Sequence, residues 1–137
     1  MPYTLIAEFP SSHFKTSLEA LEMTFERICS GEFGDRAVLL SAQSYEADGD
    51  QYVMYDAKYK DGHFRFERPI PNLESVARAI GVAPDRMTGG DAGRSVAIQS
   101  ANAGELVRFL DHVYRAVFEI KLLPSTNSYN FGSEVEA

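Results

Sequence analysis

The stretch that decides the fold runs from residue 36 to residue 69 and reads RAVLLSAQSYEADGDQYVMYDAKYKDGHFRFERP. It contains two Asp-Gly pairs, Asp48-Gly49 and Asp61-Gly62, each between segments in which apolar and polar residues alternate. Asp-Gly favours the type I′ turn that joins neighbouring antiparallel strands, because both central residues of that turn take a positive φ. The sequence therefore predicts a three-stranded meander over residues 36–47, 50–60 and 63–69.

The two turns also predict one common register for the three strands. The predicted facing pairs are Tyr59 with Phe64, Ala57 with Phe66, Tyr55 with Arg68, Val38 with Tyr59, Leu40 with Ala57, and Ala42 with Tyr55. Both hairpins then place their apolar residues on the same face of the central strand, whereas a slip of one residue would break that agreement. The opposite face is predicted to be solvated, since it carries Asp56, Lys58, Arg65 and Glu67.

Segments on both sides of the meander complete an α+β fold. Residues 3–9 alternate as a strand, and apolar residues from Phe14 to Ile28 recur at the three- and four-residue steps of a helix. A short helix with an apolar stripe from Leu73 to Ile80, a strand at 94–99 and a helix from Asn102 to about Lys121 follow. The predicted order is β-α-β-β-β-α-β-α, an antiparallel sheet packed with helices. We expect one domain over residues 1–124 and a polar, flexible tail over residues 125–137.

Composition limits the classes of partner. The chain has 137 residues and a net charge of −7, from 20 acidic and 13 basic residues. A field of that sign repels phosphate backbones, so it disfavours nucleic-acid binding and suits solubility or a basic protein partner. The lone cysteine, Cys29, cannot form an internal disulfide, which favours a reducing compartment. We find no signal peptide and no membrane-spanning apolar run, so we expect a cytoplasmic protein.

The residues that could carry chemistry are scattered along the chain. His13, His63 and His112 are far apart, and neither His-x-x-x-His nor Cys-x-x-Cys occurs, so neither a metal site nor a cofactor is predicted. Asp111 and His112 are adjacent on a predicted helix and point in different directions, which argues against an acid–base pair. Cys29 is expected to be a buried structural cysteine. The scattered positions of these residues disfavour catalysis, although a catalytic function stays open as an alternative.

The last predicted helix has an unusually wide apolar face. A stripe formed by Leu106, Phe109, Leu110, Val113, Val117 and Ile120 is widened by Val107, Tyr114 and Phe118. A surface helix usually shows a narrower stripe. Two explanations stay open: the helix packs deeply across the sheet, or one flank is covered by a second subunit or partner. In the second case, Val107, Tyr114 and Phe118 are the candidate partner-binding residues.

In size, acidity and element order, the chain is similar to the small acidic chaperones of bacterial type III secretion. The resemblance rests on the two Asp-Gly hairpins, the helix from Thr16 to Ser30 and the helix from Asn102 to Lys121. It implies a chaperone that works as a dimer, and no functional residue carries over. The first strand, Tyr3 to Phe9, departs from that pattern. Small acidic immunity proteins, which neutralise a toxin, share the same bulk properties.

Three functional hypotheses follow from these features. The leading one is a non-catalytic protein-binding domain, chaperone-like or immunity-like, which acts as a homodimer. The second is a small enzyme or small-ligand-binding domain with a pocket between sheet and helices, lined by Tyr52, Tyr55, Tyr59 and His63. The third is a component of a larger phage or secretion assembly, in which the tail from Ser125 onward serves as a docking arm.

Overall fold

One antiparallel sheet organises the molecule. The computed structural model describes residues 2–45, 52–89, 94–99 and 102–137 of the chain. Its seven strands are β1 (Tyr3–Phe9), β2 (Val38–Tyr45), β3 (Tyr52–Lys60), β4 (His63–Phe66), β5 (Met87–Gly89), β6 (Ser95–Ile98) and β7 (Asn130–Glu136). They lie side by side in the order β1-β7-β2-β3-β4-β6-β5, and each neighbouring pair is antiparallel. The predicted α+β class is confirmed.

The predicted meander is present as β2, β3 and β4. Asp61 and Gly62 have φ angles of 50° and 79°, as a type I′ turn requires. The ladder joins Tyr59 to Phe64 and Ala57 to Phe66, and on the other side joins Leu40 to Ala57. The register that the turns predicted is therefore confirmed for these pairs. The other predicted turn, Asp48-Gly49, lies outside the described residues.

Three α-helices pack on one face of this sheet: α1 (Ser17–Cys29), α2 (Leu73–Ile80) and α3 (Ala103–His112). The N-terminus of α1 is capped by Thr16, whose hydroxyl accepts a hydrogen bond from the Glu19 N–H at 3.2 Å. The core between helices and sheet is rich in aromatic rings. Phe64, which is fully buried, has its ring centroid within about 6 Å of those of Phe25, Tyr59, Phe66 and Phe109.

The C-terminal segment corrects the prediction of a flexible tail. Residues 130–136 form β7, which lies between β1 and β2 and pairs with both. Its helix-facing residues Phe131, Ser133 and Val135 are buried. Just before it, Tyr129 is also buried, and its hydroxyl donates to the Asp111 carboxylate at 2.8 Å. The segment looks polar because its alternate residues face away from the helices, and this alternation is itself typical of a half-buried strand.

Buried hydroxyls hold β7 against α1. The Thr24 hydroxyl lies 2.8 Å from both the Ser133 hydroxyl and the carbonyl oxygen of Ala20. The hydroxyl of Ser17, at the start of α1, accepts a hydrogen bond from the N–H of Tyr129 at 3.4 Å. Small polar side chains therefore occupy buried positions where the helix approaches the strand, each with a hydrogen-bond partner.

The last helix ends earlier than predicted. α3 is regular from Ala103 to His112 and continues as one π-helical turn, Val113–Val117, in which the Phe118 N–H bonds to the Val113 carbonyl at 2.9 Å. Glu119 has a φ of 53°, which leaves the helical path. The predicted end at about Lys121 is therefore wrong by about one turn. Between α2 and the predicted strand at 94–99, where no strand was predicted, residues 87–89 form the short strand β5, which pairs with β6.

Candidate functional site

The sheet face opposite the helices is the candidate site, and we call it the open face. Along each strand, every second side chain points away from the helices. In the part of the chain that the structure describes, the large apolar side chains classed as exposed are Tyr3 (37%), Leu5 (55%) and Met54 (51%). In the ladder these residues pair with Glu136, Glu134 and Gln43, respectively. Those partners alternate along β7 and β2 with the buried residues that face the helices, so all three exposed side chains lie on the open face. Exposed apolar surface is thus concentrated there.

A groove of about 330 Å³ crosses this face near Gly132. In the ladder, Gly132 lies between Glu8 of β1 and Ser41 of β2, and it contributes no side chain to the surface. A Cβ atom placed on Gly132 would meet nothing within 4 Å. The groove is lined by Leu5, Glu8, Phe9, Pro10, Leu39, Ser41, Gln43, Met54, Asn130, Phe131, Gly132 and Glu134. Its apolar and polar lining suits a polypeptide better than a purely apolar ligand.

A second hollow of about 430 Å³ adjoins the first on the same face. It shares Leu39 with the first groove and is lined by Tyr3, Leu39, Asp56, Ala57, Lys58, Arg65, Phe66, Glu67 and Arg94. The Asp56 carboxylate accepts a hydrogen bond from the Ser41 hydroxyl at 2.6 Å, so it is already engaged within the chain. The two hollows together make the open face a continuous uneven surface around Leu39.

Charge is unevenly distributed across the open face. On the β1–β7 side of the central strand β2 lie three carboxylates, Glu8, Glu134 and Glu136. On the β3–β4 side lie three cations, Lys58, Lys60 and Arg65, together with the carboxylates of Asp56 and Glu67. The face therefore has an acidic half and a predominantly basic half, with Leu39 between them.

The three predicted partner-binding residues on the last helix do not form an exposed flank, which corrects that prediction. Val107 is 3% exposed and Tyr114 is fully buried, with its hydroxyl donating to the Leu40 carbonyl at 3.1 Å. Phe118 is half-buried, and its ring stacks on that of Tyr55 at a centroid distance of 5.4 Å. The helix packs deeply across the sheet, so its wide apolar face belongs to the core of the chain itself.

The predicted pocket residues are not brought together. Tyr59 is buried in the aromatic core on the helix face, where desolvation raises the pKa of its hydroxyl. Tyr55 lies between Phe118 and Arg68, whose guanidinium carbon is 4.6 Å from the Tyr55 ring centroid. His63 is exposed and pairs with Lys60 on the open face, away from Tyr59. The side chain of Tyr52 lies outside what the structure describes. The pocket prediction is therefore wrong for Tyr55, Tyr59 and His63.

The perturbed ionisable groups serve packing. Burial is the main cause that raises the pKa values of Tyr114 and Tyr129 well above their usual range, and nearby carboxylates, Asp56 and Asp111, add to the effect. Both phenols therefore stay neutral hydrogen-bond donors at neutral pH. Asp111 also pairs with Arg115 at 2.9 Å. This network fastens the end of α3 to the segment before β7.

Cys29 is exposed, which corrects the expectation of a buried structural cysteine. Partial desolvation raises the pKa of its thiol, so the thiolate is disfavoured at neutral pH. An activated nucleophile needs the opposite shift. Within residues 2–45, 52–89, 94–99 and 102–137, no three His, Cys, Asp or Glu side chains are placed to share a metal ion.

Comparisons of the chain with protein-family models, curated protein sequences and solved structures found no significant match. Among the helices of the described segments, none has the length and apolar character needed to cross a lipid bilayer.

Proposed function

We propose that the protein is a non-catalytic protein-binding domain that acts through the open face of its sheet. One observation carries the proposal: the exposed large apolar side chains of the described chain, Tyr3, Leu5 and Met54, all lie on the face that no helix covers. Exposed apolar residues that share one surface and are surrounded by charged residues are typical of interaction sites.

The free energy available from covering this face supports association. Full burial of a large apolar side chain contributes about 1.5–3 kcal/mol, so completing the burial of half-exposed Leu5 and Met54 contributes roughly 1 kcal/mol each. Gly132 and the two hollows add concave surface that a partner's side chains can fill. A few well-packed anchors of this kind dominate the affinity of many protein interfaces.

The chemistry of the face favours a protein over other ligands. Its mixture of apolar residues with charges of both signs resembles the rim and core of a protein interface. A net charge of −7 works against nucleic acid. Chaperone-like and immunity-like roles are two versions of this proposal, and a place in a larger assembly is a third. The single cysteine supports a reducing, cytoplasmic setting.

A photoreactive amino acid placed at Met54 tests the proposal in living cells. Met54 is 51% exposed on the open face, so a covering protein would lie within reach of the probe. The matched control places the same amino acid at Ala79, an exposed residue of α2 on the helix side. We expect a discrete covalent protein adduct from position 54 and none from position 79. Equal labelling at both positions, or no adduct at position 54, would rule against this face.

A further inference from the structure

We infer that the open face binds a second copy of this chain, and that the two copies pack face to face about a two-fold axis that runs within about 15° of β2. This inference rests on the proposed function and names its partner. It comes from the arrangement of charge on the open face, which is complementary to itself. The charge pattern that a partner of this face needs is therefore present on the chain itself.

The acidic and basic halves lie at equal distances on either side of β2. The strands β7 and β3 are its two neighbours, and strands in a sheet are spaced about 4.8 Å apart. Leu39 of β2 pairs with Glu134 on one side and with Lys58 on the other. One row across the sheet therefore runs acid, leucine, base.

The next row has the same polarity. Val38 pairs with Val135 and with Tyr59, so the following residues Glu136 and Lys60 lie one step along β7 and β3, on the open face. Lys60 also pairs with His63 of β4, and Glu136 pairs with Tyr3 of β1. In these two rows, two carboxylates lie on β7 and two ammonium groups lie on β3, with β2 between them.

Charge selects between the two axes that can lie in such an interface. An axis across the strands places β7 of one copy on β7 of the other, so carboxylates face carboxylates. An axis along β2 places β7 of one copy on β3 of the other and preserves each row. Glu134 then faces Lys58 of the second copy, and Leu39 faces its own equivalent. Glu136 faces Lys60 in the same way. Because of the two-fold symmetry, each ion pair occurs twice in the dimer.

Face-to-face packing of this kind is ordinary for antiparallel sheets. Two sheets with right-handed twist pack about 10 Å apart, with strands offset by about 30°. The offset arises when each set of strands lies about half of that angle from the two-fold axis. The exposed side chains of Leu5 and Met54 then lie inside the contact, so the pairing also covers the apolar surface that motivated the proposed function.

One juxtaposition of like charges opposes the pairing. Glu8 of β1 lies in the row of Gly132, Ser41 and Asp56, and Glu67 follows β4 in that row. The axis along β2 brings Glu8 over Glu67 of the second copy. Since like charges repel, Glu67→Lys is expected to tighten the dimer, lowering its dissociation constant about fivefold.

Two charge-reversal variants, used alone and mixed, provide the decisive experiment. Lys58→Glu and Glu134→Lys each set like charges against each other twice in a homodimer, so each is expected to raise the dimer dissociation constant at least about tenfold. A mixture of the two restores both pairs: Glu134 of the first faces Lys58 of the second, and the two introduced charges face each other. We expect light scattering to show dimers in the mixture at concentrations where each variant alone is monomeric.

Several results would overturn the inference. These are a monomeric wild type throughout the micromolar range, single variants that dimerise like wild type, or a mixture that stays monomeric although circular dichroism shows both variants folded. If a variant fails to fold, the equivalent pair Lys60→Glu and Glu136→Lys replaces it. A monomeric wild type that still gives an adduct from position 54 with a different protein would leave the proposed function standing while the second copy is excluded.

Discussion

The two sides of β7 show how differently the two faces of the sheet are built. Toward the helices, Phe131 and Val135 are buried in the core, and Ser133 is buried with a hydroxyl partner on α1. Away from them, Gly132 leaves a groove and Glu134 is half-exposed. The chain itself covers the helix face, whereas on the open face side chains such as Leu5, Met54 and Lys58 remain exposed to solvent. The first face accounts for stability, and the second is the face through which we propose that the protein associates.

Deleting residues 130–137 should have the largest effect, because it removes a strand from the interior of the sheet. β1 would lose its ladder partner, and the core would lose Phe131 and Val135. We expect the shortened protein to show no cooperative unfolding transition in urea. Removing Ala137 alone is the control and should cost little. A shortened protein that unfolds as cooperatively as wild type would show that the segment is dispensable, as a loose tail would be.

Truncating one large apolar residue on each face separates core from surface. Phe64→Ala should lower the free energy of unfolding by about 3–5 kcal/mol, because Phe64 is fully buried among other rings. On the open face, Met54→Ala should change it by less than about 0.5 kcal/mol. Urea unfolding of dilute samples measures both. If the two losses were similar, the contrast between the faces would be wrong.

The features predicted correctly are those that local chemistry dictates. The type I′ turn at Asp61-Gly62 fixed the register of the meander, because a hairpin loop of two residues leaves one pairing of the flanking strands. The helix from Ser17 was evident from its apolar spacing. In each case the deciding residues are neighbours in sequence.

The errors arose where distant residues decide the outcome. The alternation of Tyr129, Phe131 and Val135 with polar residues was a strand signal, but Gly132 and Ser133 weakened it. Ser133 is buried because Thr24, far away in sequence, accommodates its hydroxyl. Likewise, the wide apolar face of α3 could not be assigned to core or partner without the sheet that covers Tyr114. The open face was expected to be solvated. Its exposed apolar residues Tyr3 and Leu5 could not be assigned to this face from the sequence, because the position of β1 in the sheet was unknown.

The helix face should also make the protein sensitive to alkali. Burial raises the pKa values of Tyr114 and Tyr129 in the folded state, so above about pH 10 the unfolded chain releases protons that the folded chain retains. The unfolded state then binds fewer protons, and stability falls as pH rises, by up to about 1.4 kcal/mol per pH unit for each tyrosine. Their contribution is fully present below pH 10.

Tyr129→Phe isolates one of the two tyrosines. At neutral pH the loss of the hydrogen bond to Asp111 should cost about 1–3 kcal/mol. Above pH 10 the variant should lose stability less steeply than wild type, which urea unfolding at a series of pH values will show. An unchanged slope would mean that Tyr129 is not protected from ionisation in the folded protein.

Gly132→Val should leave the fold intact and have a selective effect on association. Its Cβ meets nothing within 4 Å, and a β-branched residue suits a strand, so the free energy of unfolding should stay equal or rise by up to about 1 kcal/mol. The valine nevertheless fills the groove where a partner must pack. Both the adduct from position 54 and the dimer should therefore weaken, although the fold is intact.

The matched control is Ser95→Val, which adds a similar side chain to the open face on β6. Under a two-fold axis along β2, Ser95 lies three strands from the axis, beyond the reach of β1 of the second copy. It should leave dimerisation unchanged. If both variants weakened the dimer equally, the contact would extend over the whole face and the axis would lie elsewhere. If neither did, the groove at Gly132 would lie outside the interface, which would contradict a two-fold axis along β2.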